Sequence, residues 1–149
     1  CRIVLLKELS KEGLIFYTNY ESNKGKEILS HPSVAVTFFW DVLERQVRIE
    51  GLAEKISGEQ SDRYFDSRPD DSKIGAIASP QSEVVDGREE LEKRFKEAAE
   101  LPLKRPEHWG GIIIKPEMFE FWQGRPSRMH DRIRFTQSDG KWQRFRLAP

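Results

Sequence analysis

The chain has 149 residues, with 25 Lys plus Arg against 25 Asp plus Glu, and a mean hydropathy of −0.69. That length suits one domain over residues 1–149, and the balanced charge argues against a nucleic-acid partner, which a basic excess would announce. No apolar run approaches the ~20 residues of a membrane helix, and the single cysteine, Cys1, forms neither an internal disulfide nor a zinc cluster.

Cys1 leads straight into the apolar run at residues 3–6, with no Met, signal or transit segment ahead. The chain therefore reads as N-terminally truncated, and a reducing, cytoplasmic location is the expectation. Beta signals dominate the first third. Residues 3–7 and 14–18 are short apolar runs separated by Ser10, Lys11, Glu12 and Gly13, which predicts a hairpin. Residues 22–29 read as a short helix ended by Pro32. Residues 34–40 are β-branched and aromatic, hence a strand. Residues 46–50 alternate as a half-buried strand does, and Gly51 marks a bulge or bend.

Ser57 and Gln60 have the spacing of a capping box, so a helix runs to about Ser67, ahead of Pro69. Asp70 or Asp71 is expected to cap a further helix through Ala78. In residues 88–100, Leu91, Phe95, Ala98 and Ala99 fall on one helical face. Residues 100–106 read as a loop. Strands return at 112–114, 119–123 and 131–136, and Ser138, Asp139 and Gly140 mark a hairpin into 142–147. Closely spaced strands interrupted by helices predict a mainly β, antiparallel barrel with peripheral α-helices.

The densest chemistry lies near the C-terminus, where Glu120, Phe121, Trp122 and Gln123 are followed by Arg128, Met129, His130, Asp131 and Arg132. Guanidinium forks suit phosphate or carboxylate, and an indole suits a flat heteroaromatic ring. Taken alone, a strand pair with a solvated Arg face is the simpler reading. His130 is the one histidine in such a setting, fit to act as a base or to orient a ring. Arg128 shares its face if the segment is extended.

Tyr64 and Arg68 are four apart on a predicted helix and share a face; Ser72 follows just past Pro69. Two hydroxyls and a guanidinium can satisfy a phosphate, though a half-buried Tyr beside an exposed Arg is the blander alternative. Lys24 begins a short helix, whose free N–H groups favour an anion, and Tyr17 and Thr18 lie just before it. Arg2 and Lys7 are five apart, on opposite faces of a strand, so spacing alone does not join them. Gln46 on its strand, and Gln81 and Ser82 after Pro80, offer amides and a hydroxyl. No metal motif, nucleophile elbow or glycine-rich dinucleotide loop is present.

The motif E-F-W-Q-x4-R-x-H-D-R resembles the C-terminal signature of pyridoxamine 5'-phosphate oxidases. Other blocks resemble that family in the same order: residues 2–7, 16–19, 43–47, 64–69, 74–76, 81–82, 109–111 and 146–149. The resemblance covers essentially the whole chain. It implies an FMN-binding split β-barrel, with FMN contacts at Arg2, Leu5, Lys7, Tyr17, Thr18, Lys24, Gln46, Gln81, Ser82, Trp122 and Arg132. Substrate contacts are implied at Lys7, Tyr64, Arg68, Ser72, Arg128 and His130, the last two being the catalytic pair.

The implied reaction oxidises C4' of pyridoxamine or pyridoxine 5'-phosphate to the aldehyde of pyridoxal 5'-phosphate. Dioxygen is the acceptor and hydrogen peroxide is released. The resemblance also implies a homodimer with FMN between subunits, in which Gln81, Trp122, Arg128, His130 and Arg132 complete the neighbour's site. Asn23 departs from the family, where many relatives carry Arg, and the 100–106 loop is shorter than is typical. Two rival readings stand beside this one. A split-barrel flavoprotein acting on another substrate is disfavoured by Tyr64, Arg68, Ser72, Arg128 and His130. A carrier that binds FMN or pyridoxal phosphate without turnover would be excluded by steady aldehyde and peroxide production.

Overall fold

The computed structural model describes residues 1–149. Its strands are β1 (Glu8–Leu9), β2 (Leu14–Asn19), β3 (Ser33–Trp40), β4 (Arg45–Lys55), β5 (Trp109–Gln123), β6 (Asp131–Ser138) and β7 (Lys141–Leu147). The helices are α1 (Asn23–Ser30), α2 (Gly58–Asp66), α3 (Asp70–Ala78) and α4 (Arg88–Ala99), with a 3₁₀ turn at Pro126–Arg128. Hydrogen bonding orders the sheet β1-β2-β5-β4-β3, with β6 on β5 and β7 on β6. The expected class, mainly antiparallel β with helices, is what the chain adopts.

Packing divides the chain into two compact units. The first comprises Cys1–Pro32 and Glu54–Ile113, and holds all four helices. Leu14, Ile15 and Phe16 are buried although adjacent, so β2 is covered on both faces. Phe65 from α2, Ile74 from α3, Ala98 from α4 and Ile112 and Ile113 from β5 complete this core. Each helix starts for a local reason. Ser22 Oγ accepts from the Gly25 N–H at the head of α1, and Ser57 Oγ accepts from the Gln60 N–H at the head of α2. For α3 the expected aspartate cap is replaced: Pro69 is the cap residue, with no side-chain hydrogen bond. Asp70 and Asp71 instead occupy the first turn, where acidic groups suit the helix dipole.

The second unit comprises Ser33–Ala53 and Ile114–Pro149. Here β3 and β4 form a hairpin in unbroken register, from Ser33 opposite Leu52 to Trp40 opposite Arg45. Of the bulge or bend expected at Gly51, the bulge is absent, since Gly51 sits squarely opposite Val34. The glycine serves a close approach. A Cβ on it would fall 2.9 Å from the Lys115 carbonyl carbon and from Pro116 Cα. The β6–β7 hairpin turns at Asp139 (φ 50°) and Gly140 (φ 73°), the two left-handed positions of a tight hairpin turn.

Two further expectations are corrected. Residues 3–7 are not a strand: Ile3 is 99% exposed, and pairing with β2 begins only at Glu8 opposite Ile15. A run of apolar residues makes a strand only when a neighbouring edge accepts its N–H and C=O groups, and the Lys7 N–H to Ile15 carbonyl bond is where that begins. The strands predicted at 112–114 and 119–123 are one strand, β5, running through Lys115, Pro116 and Glu117. The polar, proline-bearing middle hides the continuity in the sequence, and at that point Gly51, with no side chain, lets the two backbones approach closely.

Candidate functional site

In the first unit, β2 delivers consecutive side chains to opposite faces, as any strand must. Thr18 and Tyr17 accordingly join two different groups. Thr18 is buried and receives a hydrogen bond from Lys24 Nζ, reaching back from α1. Lys24 also donates to Ser22 Oγ at 3.3 Å, while the Thr18 hydroxyl lies 3.4 Å from Gln81 Oε1. Burial, reinforced by the charge of Arg2, holds the Lys24 ammonium below its ordinary pKa of 10.5. The structure thus brings Arg2, Thr18, Lys24 and Gln81 together. Gln81, expected to serve a neighbour, meets Thr18 of its own chain. Ser82 follows with a left-handed backbone (φ 75°) and an exposed side chain.

Tyr17 stacks on Tyr64 with ring centres 3.8 Å apart, and Trp109 lies parallel to both, at 5.5 and 6.3 Å. The hydroxyl pKa of Tyr17 is raised, first by burial and then by Glu8 and Tyr64, so it stays a neutral donor. Arg68, four residues after Tyr64, lays its guanidinium over Trp109 at 4.7 Å and near Phe65 at 5.8 Å. No carboxylate bonds it, and its Nη1 is buried without a hydrogen-bond partner. Burial lowers its pKa, with Tyr64 opposing. The helix ends at Asp66, so Arg68 does not share a helical face with Tyr64, contrary to expectation. The bend after Ser67 nevertheless leaves it near Tyr64 and over Trp109, and Ser72 sits half-buried in the first turn of α3. Lys7 and Leu5 are exposed and belong to the segment before β1.

In the second unit, Trp122 and Arg132 face each other across β5 and β6. Trp122 and His130 lie 4.9 Å apart between ring centres. His130 Nδ1 accepts from the Arg125 N–H at 3.2 Å, which places the proton of the neutral ring on Nε2. All three Arg132 nitrogens are engaged: Nε and Nη2 each donate to Glu120 Oε1 at 2.8 Å, and Nη1 donates to the Ala148 carbonyl at 3.0 Å. Arg48 donates to the other Glu120 oxygen at 3.1 Å. Gln46 lies on β4 opposite Phe39. One expectation fails here. Arg128 does not share an extended face with His130, because Ser127 (φ 57°) and Arg128 (φ 60°) form a left-handed kink in the 3₁₀ turn.

A groove of about 770 Å³ near the β6–β7 hairpin is lined by Glu50, Glu117, Arg134 and Asp139, among others. It contains none of the expected site residues, and three carboxylates against one guanidinium suit a phosphate poorly.

Comparison with known proteins decides the family. The profile described as pyridoxamine 5'-phosphate oxidase matches residues 2–101, and that described as the pyridoxine 5'-phosphate oxidase C-terminal dimerisation region matches residues 109–149. A pyridoxine/pyridoxamine 5'-phosphate oxidase from Actinobacillus pleuropneumoniae serotype 3 is 58% identical over 99% of this chain and 72% of its own length. One from Pseudomonas putida is 53% identical over 100% of this chain and 71% of its own. The chain belongs to the pyridoxine/pyridoxamine 5'-phosphate oxidase family.

Among solved structures, the oxidase-family chain is similar to PhzG from Burkholderia lata 383, determined with tetrahydrophenazine-1-carboxylic acid. The TM-score is 0.93 at 26% identity, over 99% of this chain and 74% of that one. A pyridoxamine 5'-phosphate oxidase-related, FMN-binding protein from Nostoc punctiforme shares the fold, with a TM-score of 0.79 at 14% identity. The split-barrel class expected for the oxidase family is borne out by these neighbours.

The residues of this oxidase-family chain fit phosphate-bearing ligands. Lys24 bonds only hydroxyls, and Arg68 keeps a buried donor unpaired. Both are arrangements that an anion would complete. Trp109 and Glu120 have no role legible from the sequence, although both lie inside blocks that carry the resemblance. Their signal was the presence of an indole and a carboxylate among family-like residues; their partners, 41 and 12 positions away, are what give them meaning.

Proposed function

We propose that this chain is an FMN-dependent oxidase that converts pyridoxamine or pyridoxine 5'-phosphate to pyridoxal 5'-phosphate. The observation that carries this reading is Arg68, a half-buried guanidinium whose buried Nη1 has no hydrogen-bond partner, beside Tyr64. FMN, when bound, supplies the two-electron acceptor that no side chain can provide. With the alcohol, one dioxygen is consumed and one aldehyde and one hydrogen peroxide are formed. With the amine, one water also enters and one ammonia leaves.

The chain's own residues bind and orient. Lys24, with Arg2, Thr18 and Gln81, holds the FMN phosphate region, and its desolvated ammonium gains most when an anion arrives. Arg68, Tyr64, Ser72 and Lys7 hold the substrate phosphate. The neutral Tyr17 hydroxyl donates nearby. His130, its Nδ1 occupied by the Arg125 N–H, offers Nε2 to the substrate, and Arg128 is presented by the kink before it. Trp122, Gln46, Ser82 and Leu5 line the flavin ring. Arg132 approaches FMN with an orientation fixed by Glu120 and the Ala148 carbonyl. Fixed donors of this kind stabilise shifting charge without reorganising.

The active form is a homodimer with shared sites. The match to a dimerisation region over residues 109–149 supports this, as do the exposed Phe39, Trp40, Phe121, Trp142 and Phe145. Mixed dimers of Lys24→Ala and Arg132→Ala chains would regain one FMN site; no regain would refute sharing.

The test of the function is direct. FMN-loaded protein in air, given pyridoxamine 5'-phosphate, should produce pyridoxal 5'-phosphate and peroxide in equal amounts over many turnovers. Stoichiometric binding with no peroxide would mean a carrier instead. The likeness to PhzG raises another substrate class, but identities of 52–58% with named vitamer oxidases, against 26%, favour the vitamer phosphates.

A further inference from the structure

Arg68 and Arg132 are both half-buried arginines, yet they are held in opposite ways. Arg132 is anchored by a carboxylate that neutralises it and occupies two of its nitrogens. Arg68 has no carboxylate. Its anchor is an aromatic face: the guanidinium lies 4.7 Å over Trp109, with Phe65 at 5.8 Å. A π face fixes a guanidinium through its quadrupole and takes none of its N–H donors. The charge and the donor set of Arg68 stay available, and the buried, unpartnered Nη1 is the visible result.

Trp109 is itself rigidly set. It is 7% exposed and opens β5. Its backbone N–H donates to the Pro106 carbonyl at 3.0 Å, and its backbone carbonyl accepts from Arg105 Nη1 at 2.8 Å. Arg105 in turn bonds Asp62 on α2 at 2.6 Å, the helix that also carries Tyr64 and Phe65. Phe65 meets the indole edge-on at 5.4 Å, and Tyr17 and Tyr64 stack parallel to it. The indole is thereby tied to the helix that Arg68 follows two residues after its end.

We infer that Trp109 is the positioning residue for Arg68, and that this aromatic anchoring sets the preference for phosphorylated over unphosphorylated ligands. The inference rests on the reading of Arg68 as a phosphate ligand given above. A carboxylate at this place would hold the arginine equally well but compete with the ligand. An aliphatic residue would leave the guanidinium free to swing toward solvent.

The experiment compares binding of pyridoxal 5'-phosphate and of pyridoxal to the FMN-loaded protein, in wild type, Arg68→Ala, Trp109→Leu and Trp109→Phe. FMN affinity and thermal melting are recorded for each. Trp109→Leu should weaken pyridoxal 5'-phosphate about tenfold, between the values of an exposed and a fully desolvated cation–π contact, and leave pyridoxal and FMN affinity within about twofold. Trp109→Phe should fall between, because it keeps a smaller π face. If Arg68→Ala loses the phosphate preference while Trp109→Leu retains it, the positioning role is wrong and the site reading survives. If Arg68→Ala keeps the preference, the site reading itself fails. Should Trp109→Leu not fold, Trp109→Phe decides: an unchanged preference in that variant overturns the inference.

Discussion

Glu120 and Arg132 form a doubly bonded ion pair in the candidate flavin region: one carboxylate oxygen accepts from both Nε and Nη2 at 2.8 Å. Glu120 is only 5% exposed, and its other oxygen accepts from Arg48. Removing the carboxylate leaves two guanidiniums facing each other, both still partly in water. Glu120→Ala should therefore cost about 1.5–3 kcal/mol, the range for hydrogen bonds to charged groups, in denaturant unfolding. A loss within error of zero would mean that solvent screens the cluster completely.

The same pair predicts an acid-side signature. The hydrogen bond from Arg132, opposed by burial and helped by Arg48, holds the Glu120 carboxyl below its ordinary value of 4.5. A carboxyl depressed in the folded state stabilises the fold above its unfolded pKa, and this contribution disappears as pH falls through the folded value. The stability difference between wild type and Glu120→Gln should be constant at neutral pH and shrink on acidification below 4.5. A difference that does not change between neutrality and acid would contradict the ion pair.

Gly51 predicts a steric effect. Its missing side chain lets β4 approach the Lys115–Pro116 backbone, which cannot move aside as a flexible side chain would. Gly51→Ala should destabilise by about 1–3 kcal/mol, as overpacking does, although alanine is the better residue in an ordinary strand. Thermal melting settles it, and an unchanged or raised Tm would show that the approach is not tight.

Lys24 predicts how FMN affinity depends on pH. Burial and Arg2 lower its pKa in the free protein, and a bound phosphate restores the charged form. FMN affinity should be full below the free-protein pKa and fall as pH rises through it. Lys24→Arg should abolish that alkaline loss, and Lys24→Met should weaken FMN about ten- to hundredfold, the loss of one charge-assisted bond. Flavin fluorescence titration measures both. Equal affinity for Lys24→Met and wild type would remove Lys24 from the site.

What was legible in the sequence was local. Ser57 and Gln60 announced the start of α2, and Asp139 and Gly140 the last hairpin, because each signal lies within four residues. The run at 3–6 misled because pairing depends on an edge that the run itself does not encode. Arg128 and His130 misled because alternation presumes extended backbone, and two left-handed residues break it. Trp109 and Glu120 went unread for a different reason. Their partners are brought to them by β5, and no spacing rule relates Arg68 to Trp109.

The most direct test of the oxidase reading is an anaerobic absorbance titration of the FMN-loaded protein with pyridoxamine 5'-phosphate. The visible flavin band should bleach, then return on admitting air, with pyridoxal 5'-phosphate formed in proportion. A flavin that stays oxidised while the ligand is demonstrably bound would contradict the reading and leave a carrier in its place.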